Sequence, residues 1–72
     1  MSATPQRVKS IEVNTASLTI FYLEEPNSFY KFDKSGYWVV FKDGDLYEKY
    51  WSESLLEASK TYNEFYRMLK SN

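Results

Sequence analysis

The hydrophobic pattern of this chain changes its period once, near Ser52, and that change sets the fold class. Before Ser52, apolar residues fall in short runs rich in aromatic and β-branched side chains, which predict β-strands. After Ser52 they recur at steps of three and four, which predicts one face of an α-helix. These positions are Leu55, Ala58, Tyr62, Phe65 and Leu69. The sequence therefore predicts an α+β domain, an antiparallel β-meander of four to five strands followed by one C-terminal amphipathic helix packed on one sheet face.

The predicted helix carries its own start and stop features. Ser54 with Glu57 fits a capping box, and Ser52 is a second candidate for the N-cap. Acidic residues come early and basic residues late along the helix, as the helix dipole prefers. We expect a helix of about 18 residues, or roughly 27 Å at 1.5 Å per residue.

The five candidate strands differ in how strongly the sequence supports them. They are residues 8–13, 18–23, 29–33, 37–42 and a return strand from Asp45 or Leu46 to about Trp51. The run 18–23 is apolar on both faces, which is typical of a central strand. Asp43-Gly44 predicts a tight hairpin before the return strand. That strand carries one charge on each face, Glu48 and Lys49, as edge strands protected from unwanted pairing do.

The length of 72 residues predicts a single small domain over residues 7–72, preceded by a disordered or loosely attached tail over residues 1–6. A domain of this size needs a staple, a heavy core or a partner. The chain has no cysteine and no histidine, so we expect neither a disulfide nor a zinc site. Aromatic residues make up 19% of the chain, and they supply the apolar area that a short aliphatic core lacks.

The same composition argues against common enzyme chemistry. Without cysteine and histidine the usual nucleophile–base arrangements are missing. The two glycines, Gly36 and Gly44, rule out glycine-rich phosphate loops. Asp43 and Asp45 read as a hairpin turn with flanking acids, and Glu24-Glu25 as solvated loop charge. We therefore expect a non-enzymatic protein with no cofactor and no metal.

The sequence also bounds location and partners. No apolar run approaches the roughly 18 residues of a membrane-spanning helix, and residues 1–7 carry no apolar stretch typical of a secretion signal. We expect a cytoplasmic protein that does not bind membranes. The net charge of −1 argues against a general nucleic-acid binder, which normally shows a basic excess.

A single helix leaves part of the predicted sheet uncovered. A helix about 10 Å wide cannot cover four strands, which span roughly 15–20 Å. We therefore expect aromatic residues on the other face to stay exposed and to bind a partner. The predicted contact residues are Tyr30, Trp38, Tyr47 and Trp51, with Lys31 and Lys49 as polar support.

Two kinds of partner fit such a surface. The first is a protein, or a second copy of the chain in a homodimer, because tyrosine and tryptophan are common interface anchors; the chain would then be a small adaptor, inhibitor or regulator. The alternative is single-stranded nucleic acid, because aromatics beside lysines stack bases and contact phosphates. Within residues 29–51 four lysines are balanced by four acids, which ranks the nucleic acid second. In the order of its elements, though in no residue motif, the chain is similar to single-strand-binding Whirly-like domains and PUR repeats.

Overall fold

The computed structural model of the protein describes residues 4–71 and contains one sheet and one helix. The elements are β1 (Gln6–Val13), β2 (Ala16–Leu23), β3 (Gly36–Asp43), β4 (Leu46–Ser52) and α1 (Leu55–Lys70). Neighbouring strands are antiparallel and follow the order β1-β2-β3-β4 across the sheet. The predicted α+β meander with a C-terminal helix on one sheet face is confirmed.

The strand positions follow the apolar runs, with two central strands flanked by two edges. β2 pairs on both sides, as its apolar residues on both faces predict. β1 covers the predicted strand 8–13 and begins earlier, at Gln6. Of the tail predicted over 1–6, residues 1–3 lie outside the described part of the chain, and Thr4 and Pro5 directly precede β1.

The strand predicted over 29–33 is wrong. Residues 24–35 form a loop in which the chain turns back on itself. The Asn27 N–H donates to Phe32 O at 2.8 Å, and the Phe32 N–H donates to Asn27 O at 3.0 Å. Between them Lys31 N donates to Ser28 O at 3.1 Å, and Lys31 has a φ of 62°. A left-handed residue and a closed turn are incompatible with an extended strand. The apolar side chain that the structure buries from this segment is that of Phe32, in a loop and not in a strand.

The helix begins and ends where its sequence indicates. Ser54 is the N-cap, and its Oγ accepts a hydrogen bond from the Glu57 backbone N–H at 3.3 Å. At the other end the Ser71 N–H donates to Arg67 O at 3.0 Å. The helix has 16 residues, slightly fewer than predicted.

The sheet buries an apolar cluster on each of its faces. The helix-facing cluster combines strand residues with two from α1; its buried members are Ala16, Leu18, Ile20, Val39, Phe41, Ala58 and Tyr62. The opposite cluster is smaller, and its buried members are Leu23, Phe32, Trp38 and Val40. Phe32 comes from the loop over 24–35, so this loop covers part of the face that the helix leaves open.

The loop offers a matched pair of phenylalanines for testing this arrangement. Phe32 is 4% exposed, whereas Phe29 is 82% exposed three residues earlier. We expect Phe32→Ala to lower the free energy of unfolding by about 3 kcal/mol or more, because it leaves a cavity in the second cluster. Phe29→Ala should stay within about 0.5 kcal/mol of the parent. Urea denaturation followed by circular dichroism measures both, and equal effects would contradict a core role for Phe32.

Candidate functional site

The candidate site lies on the sheet surface opposite α1, called here the back face. Strand register places its side chains in rows. Phe21 lies opposite Trp38, which lies opposite Trp51. The next row contains Val40 and Lys49, and the one after it contains Lys42 and Tyr47. The predicted contact residues on β3 and β4 therefore share one face of the sheet.

Three side chains of the back face hold the 24–35 loop by its carbonyl groups. Trp38 Nε1 donates to Lys34 O at 2.9 Å, and Trp51 Nε1 donates to Ser35 O at 2.8 Å. Lys49 Nζ donates to Lys31 O. These bonds and the burial of Phe32 fix the loop on the part of the back face nearest the ends of β2 and β4.

Gly36, at the start of β3, allows this arrangement. It has a φ of +124°, and a Cβ atom there would lie 2.9 Å from Trp51 Nε1 and 3.1 Å from Ser52 O. A side chain at this position would displace the indole that holds the loop. The positive φ at Gly36 is a conformation that residues with a Cβ rarely adopt.

Two of the predicted contact residues lie beneath the loop and support it. Trp38 is 5% exposed, and its ring centroid lies 5.2 Å from that of Phe32, so its predicted exposure to a partner is wrong. Lys49 is half-buried, with its Nζ 5.5 Å from the centre of the Phe32 ring and 5.3 Å from that of Trp38. Phe32 covers Trp38 because the loop, which the sequence predicts as a strand, folds over it.

The other four predicted residues have exposed side chains. Tyr30, Tyr47 and Trp51 are 47%, 49% and 39% exposed, and Lys31 is exposed as well. Lysine ammonium groups lie over two of these rings. Lys34 Nζ is 4.6 Å from the centre of the Trp51 ring, and Lys42 Nζ is 5.5 Å from that of Tyr47. The exposed part of the back face is therefore an alternation of aromatic rings and cations.

The fold separates charges that the sequence interleaves. All four lysines of residues 29–51 lie on the back face or on the loop that covers it; they are Lys31, Lys34, Lys42 and Lys49. Asp43 accepts a hydrogen bond from Thr15 at 2.8 Å and Glu48 from the Tyr50 hydroxyl at 3.1 Å, and register puts both acids on the helix side. Asp45 lies in the hairpin turn.

The back face and its loop together carry a small basic excess. Arg7 of β1 adds a fifth cation, because Arg7 lies opposite Phe21. Against these five stand four acids, which are Glu12, in the same pocket as Arg7, and Glu24, Glu25 and Asp33 of the loop. Arg7 and Lys42 line one groove together with apolar and aromatic residues and with no acid.

A groove crosses the part of the back face that the loop leaves uncovered. It has a volume of about 330 Å³, with Tyr30 and Tyr47 among its walls and Phe21 and Val40 on its floor. A smaller depression of about 160 Å³ shares Arg7 and Lys42 with it. Ser10 and Thr19, whose hydroxyls are 3.1 Å apart, line this second part. The groove thus offers apolar and aromatic surface between two cations.

Sequence reasoning missed three residues of this surface. Arg7 and Lys42 line the groove, and Phe29 stands beside Tyr30 with ring centroids 5.0 Å apart. Strand alternation from Trp38 to Lys42 places Lys42 on the back face, and this is the one signal available in the sequence. Arg7 depends on the β1–β2 register, and the exposure of Phe29 depends on the loop.

Other features of the described residues lie away from the back face. A hydrogen bond to Glu48 raises the pKa of Tyr50, and burial raises the pKa of Tyr62; both face the helix side. Within residues 4–71 no three carboxylates gather as a metal site would require. Over the same range no helix has the length and apolarity needed to span a bilayer.

The comparisons with known proteins gave no relative: no family model, no curated protein and no solved structure matches the chain significantly. Function therefore has to be argued from the chain's own geometry.

The two tryptophans give a direct test of the site geometry. Because Trp38 is buried and Trp51 is exposed, Trp51→Phe should leave a protein with blue-shifted emission that acrylamide quenches weakly. Trp38→Phe should leave red-shifted, strongly quenched emission. Fluorescence of the two folded variants measures this, and equal quenching constants would contradict the loop's position over Trp38.

Proposed function

We propose that this protein is a non-enzymatic binding domain that holds single-stranded nucleic acid on its back face. The observation that carries the proposal is the separation of charge, which collects five basic groups beside exposed aromatic rings on one surface. The sequence count of four lysines against four acids ranked this ligand second. That count does not describe the charge of the back face, because two of the four acids face the helix side and one lies in the turn.

The residues would divide the work as single-strand binding requires. Arg7 and Lys42 flank the groove and would contact phosphates, whose neutralisation supplies most non-specific affinity. Tyr30 and Tyr47 would stack bases, which every base allows because each has a π-face. Trp51 and Lys34 extend the same pattern beyond the groove.

A protein partner is the second candidate, and one observation favours it. Phe29 is highly exposed on a turn closed by backbone bonds, and the Tyr30 N–H also donates to Asn27 Oδ1 at 3.2 Å. A large apolar side chain on an ordered turn is suited to filling a pocket in another protein. The chain would then act as an adaptor, inhibitor or regulator, as the sequence first suggested.

The back face itself favours the nucleic acid. A protein partner that packs on the sheet would need an uncovered apolar face, but Phe32 of the loop covers the most apolar part of that face. What remains exposed is mixed aromatic and cationic surface.

Binding of a labelled oligothymidylate or oligouridylate tests the proposal. We expect fluorescence anisotropy to rise at about 50 mM salt, where electrostatic affinity is strong, and to fall steeply as salt increases. Each phosphate contact contributes about −0.7 to the slope of log K against log salt for single strands, so five contacts give a slope of about −3.5. If neither oligonucleotide binds at low salt, the nucleic-acid proposal is wrong and the protein partner replaces it.

Matched charge variants locate the site. Lys42→Gln removes a cation from the groove, and Lys60→Gln removes the same charge from an exposed position on α1. The first should weaken binding and reduce the magnitude of the salt slope by about 0.7, and the second should change neither by a comparable amount. Equal losses would mean that net charge alone, and not the back face, governs binding.

A stacking variant separates base contacts from charge. Tyr47→Ala removes a ring that is half exposed, and it should weaken oligonucleotide binding about 5-fold to 150-fold with an unchanged salt slope. Polyglutamate, an anion without bases, serves as the comparison. If polyglutamate binds as tightly as the oligonucleotides, or if Tyr47→Ala has no effect, base stacking plays no part.

A further inference from the structure

The two edges of the sheet differ in their protection against pairing. β1 has an irregular register between Arg7 and Lys9, which bulges the strand. Bulges of this kind blunt an edge, because they bend the strand and break the row of free backbone groups. β4 pairs with β3 in unbroken register from Leu46 to Ser52 and contains no proline. The outer side of β4 is therefore a regular strand edge.

The two charged side chains of β4 make contacts within the subunit. Glu48 accepts the Tyr50 hydroxyl on the helix side. Lys49 donates to Lys31 O and lies over the rings of Phe32 and Trp38. Both side chains are half-buried. The two charges predicted to protect the edge are thus engaged within the subunit.

The remaining side chains of β4 leave apolar surface exposed on both faces of the sheet. Leu46 and Tyr50 are exposed on the helix side, and Tyr47 and Trp51 on the back face. The two-residue turn makes Asp43 and Leu46 a hydrogen-bonded pair, and such pairs alternate along an antiparallel ladder. The backbone groups of Tyr47, Lys49 and Trp51 therefore point to the free edge.

We infer that a second copy of the chain pairs with this edge, β4 against β4, around a two-fold axis perpendicular to the sheet. Such an axis pairs residues on the same sheet face. Centred on Glu48 or on Lys49 it would set two like charges directly opposite each other, which destabilises a pair. Centred on Tyr50 it sets Tyr50 opposite Tyr50, Lys49 opposite Trp51 of the second copy and Glu48 opposite Ser52. This arrangement brings together rings, and a cation with a ring, and it opposes no like charges. Axes centred on Tyr47 or Trp51 also oppose none, but they pair three residues of β4 where the axis at Tyr50 pairs five.

The paired copies form one eight-stranded sheet with both helices on the same side. Both back faces then lie on the other side, across about 34 Å of continuous sheet at about 4.8 Å per strand. The importance of this double surface rests on the proposed function, since a longer single-stranded nucleic acid would span the grooves of both copies. The pairing itself does not rest on the proposed function, because it uses the edge of β4 and leaves Arg7 and Lys42 untouched.

Single cysteines test the pairing, because the chain contains none of its own. Residues opposite each other in a non-hydrogen-bonded antiparallel pair have Cα atoms about 4.5 Å apart, within the range that a disulfide needs. Tyr50→Cys should therefore form a covalent dimer under mild oxidation, seen on a non-reducing gel. Leu46→Cys is the matched control. It is exposed on the same face of the same strand, but outside the paired segment 48–52, and it should remain mostly monomeric.

The parent protein supplies a measurement without substitution. Light scattering over a concentration series should show the mass rise towards twice the chain mass of 8.6 kDa. Tyr50→Lys, which sets two like charges opposite each other at the axis and lies on the helix side, should hold it at the monomer. A monomer mass at every concentration, or equal cross-linking of Tyr50→Cys and Leu46→Cys, would overturn the pairing. Oligonucleotide binding by Tyr50→Lys, which leaves every back-face residue in place, then shows whether the back face works without pairing, so the two proposals fail separately.

Discussion

The burial of Phe32 against Trp38 is the contact on which the back of this domain depends. A four-stranded sheet with one helix has a second face that must be covered or be polar. In this chain the loop covers one part of that face, and the other part is polar. The ring of Phe32 covers one part, and three side-chain donors from the sheet hold the loop that carries it. The other part is lined by hydroxyls and cations and tolerates water. Without the loop, both Trp38 and Val40 would lose their cover on a domain with little apolar area to spare.

The local elements could be predicted from sequence because short-range physics determines them. The stripe from Leu55 to Leu69, the Ser54 cap and the Asp43-Gly44 turn each depend on neighbours within a few residues. Strand alternation put Tyr47, Lys49 and Trp51 on one face of the last strand, and the register of the structure adds Trp38 to that face. The segment from Phe29 to Asp33 failed because its composition favours a strand, while its conformation follows from Phe32 finding a long-range site. Trp38 was misjudged for the same reason, since its exposure is decided by a loop far from it in sequence.

Charge on this surface is a consequence of the two-residue period of β-strands. Adjacent residues on a strand point to opposite faces, so a sequence that alternates acid and base is sorted by folding into two surfaces of unlike sign. Lys42 and Asp43 show this, since the first lines the groove and the second bonds Thr15 on the other side. A charge count along the chain averages over the two faces and returns zero. The groove on the back face is lined by Arg7 and Lys42 and by no acid, although the whole chain has a net charge of −1.

At Gly36, where β3 begins, the structure has no room for a methyl side chain. The indole of Trp51 rests against the place where a side chain would begin, and the same indole holds the loop through Ser35. The other two anchoring carbonyls belong to Lys31 and Lys34, whose own cations lie on the loop and over the Trp51 ring. Adding a methyl group at Gly36 would thus move the loop that forms one wall of the groove. Substitution of Gly36 would therefore reshape the groove without changing any residue that lines it.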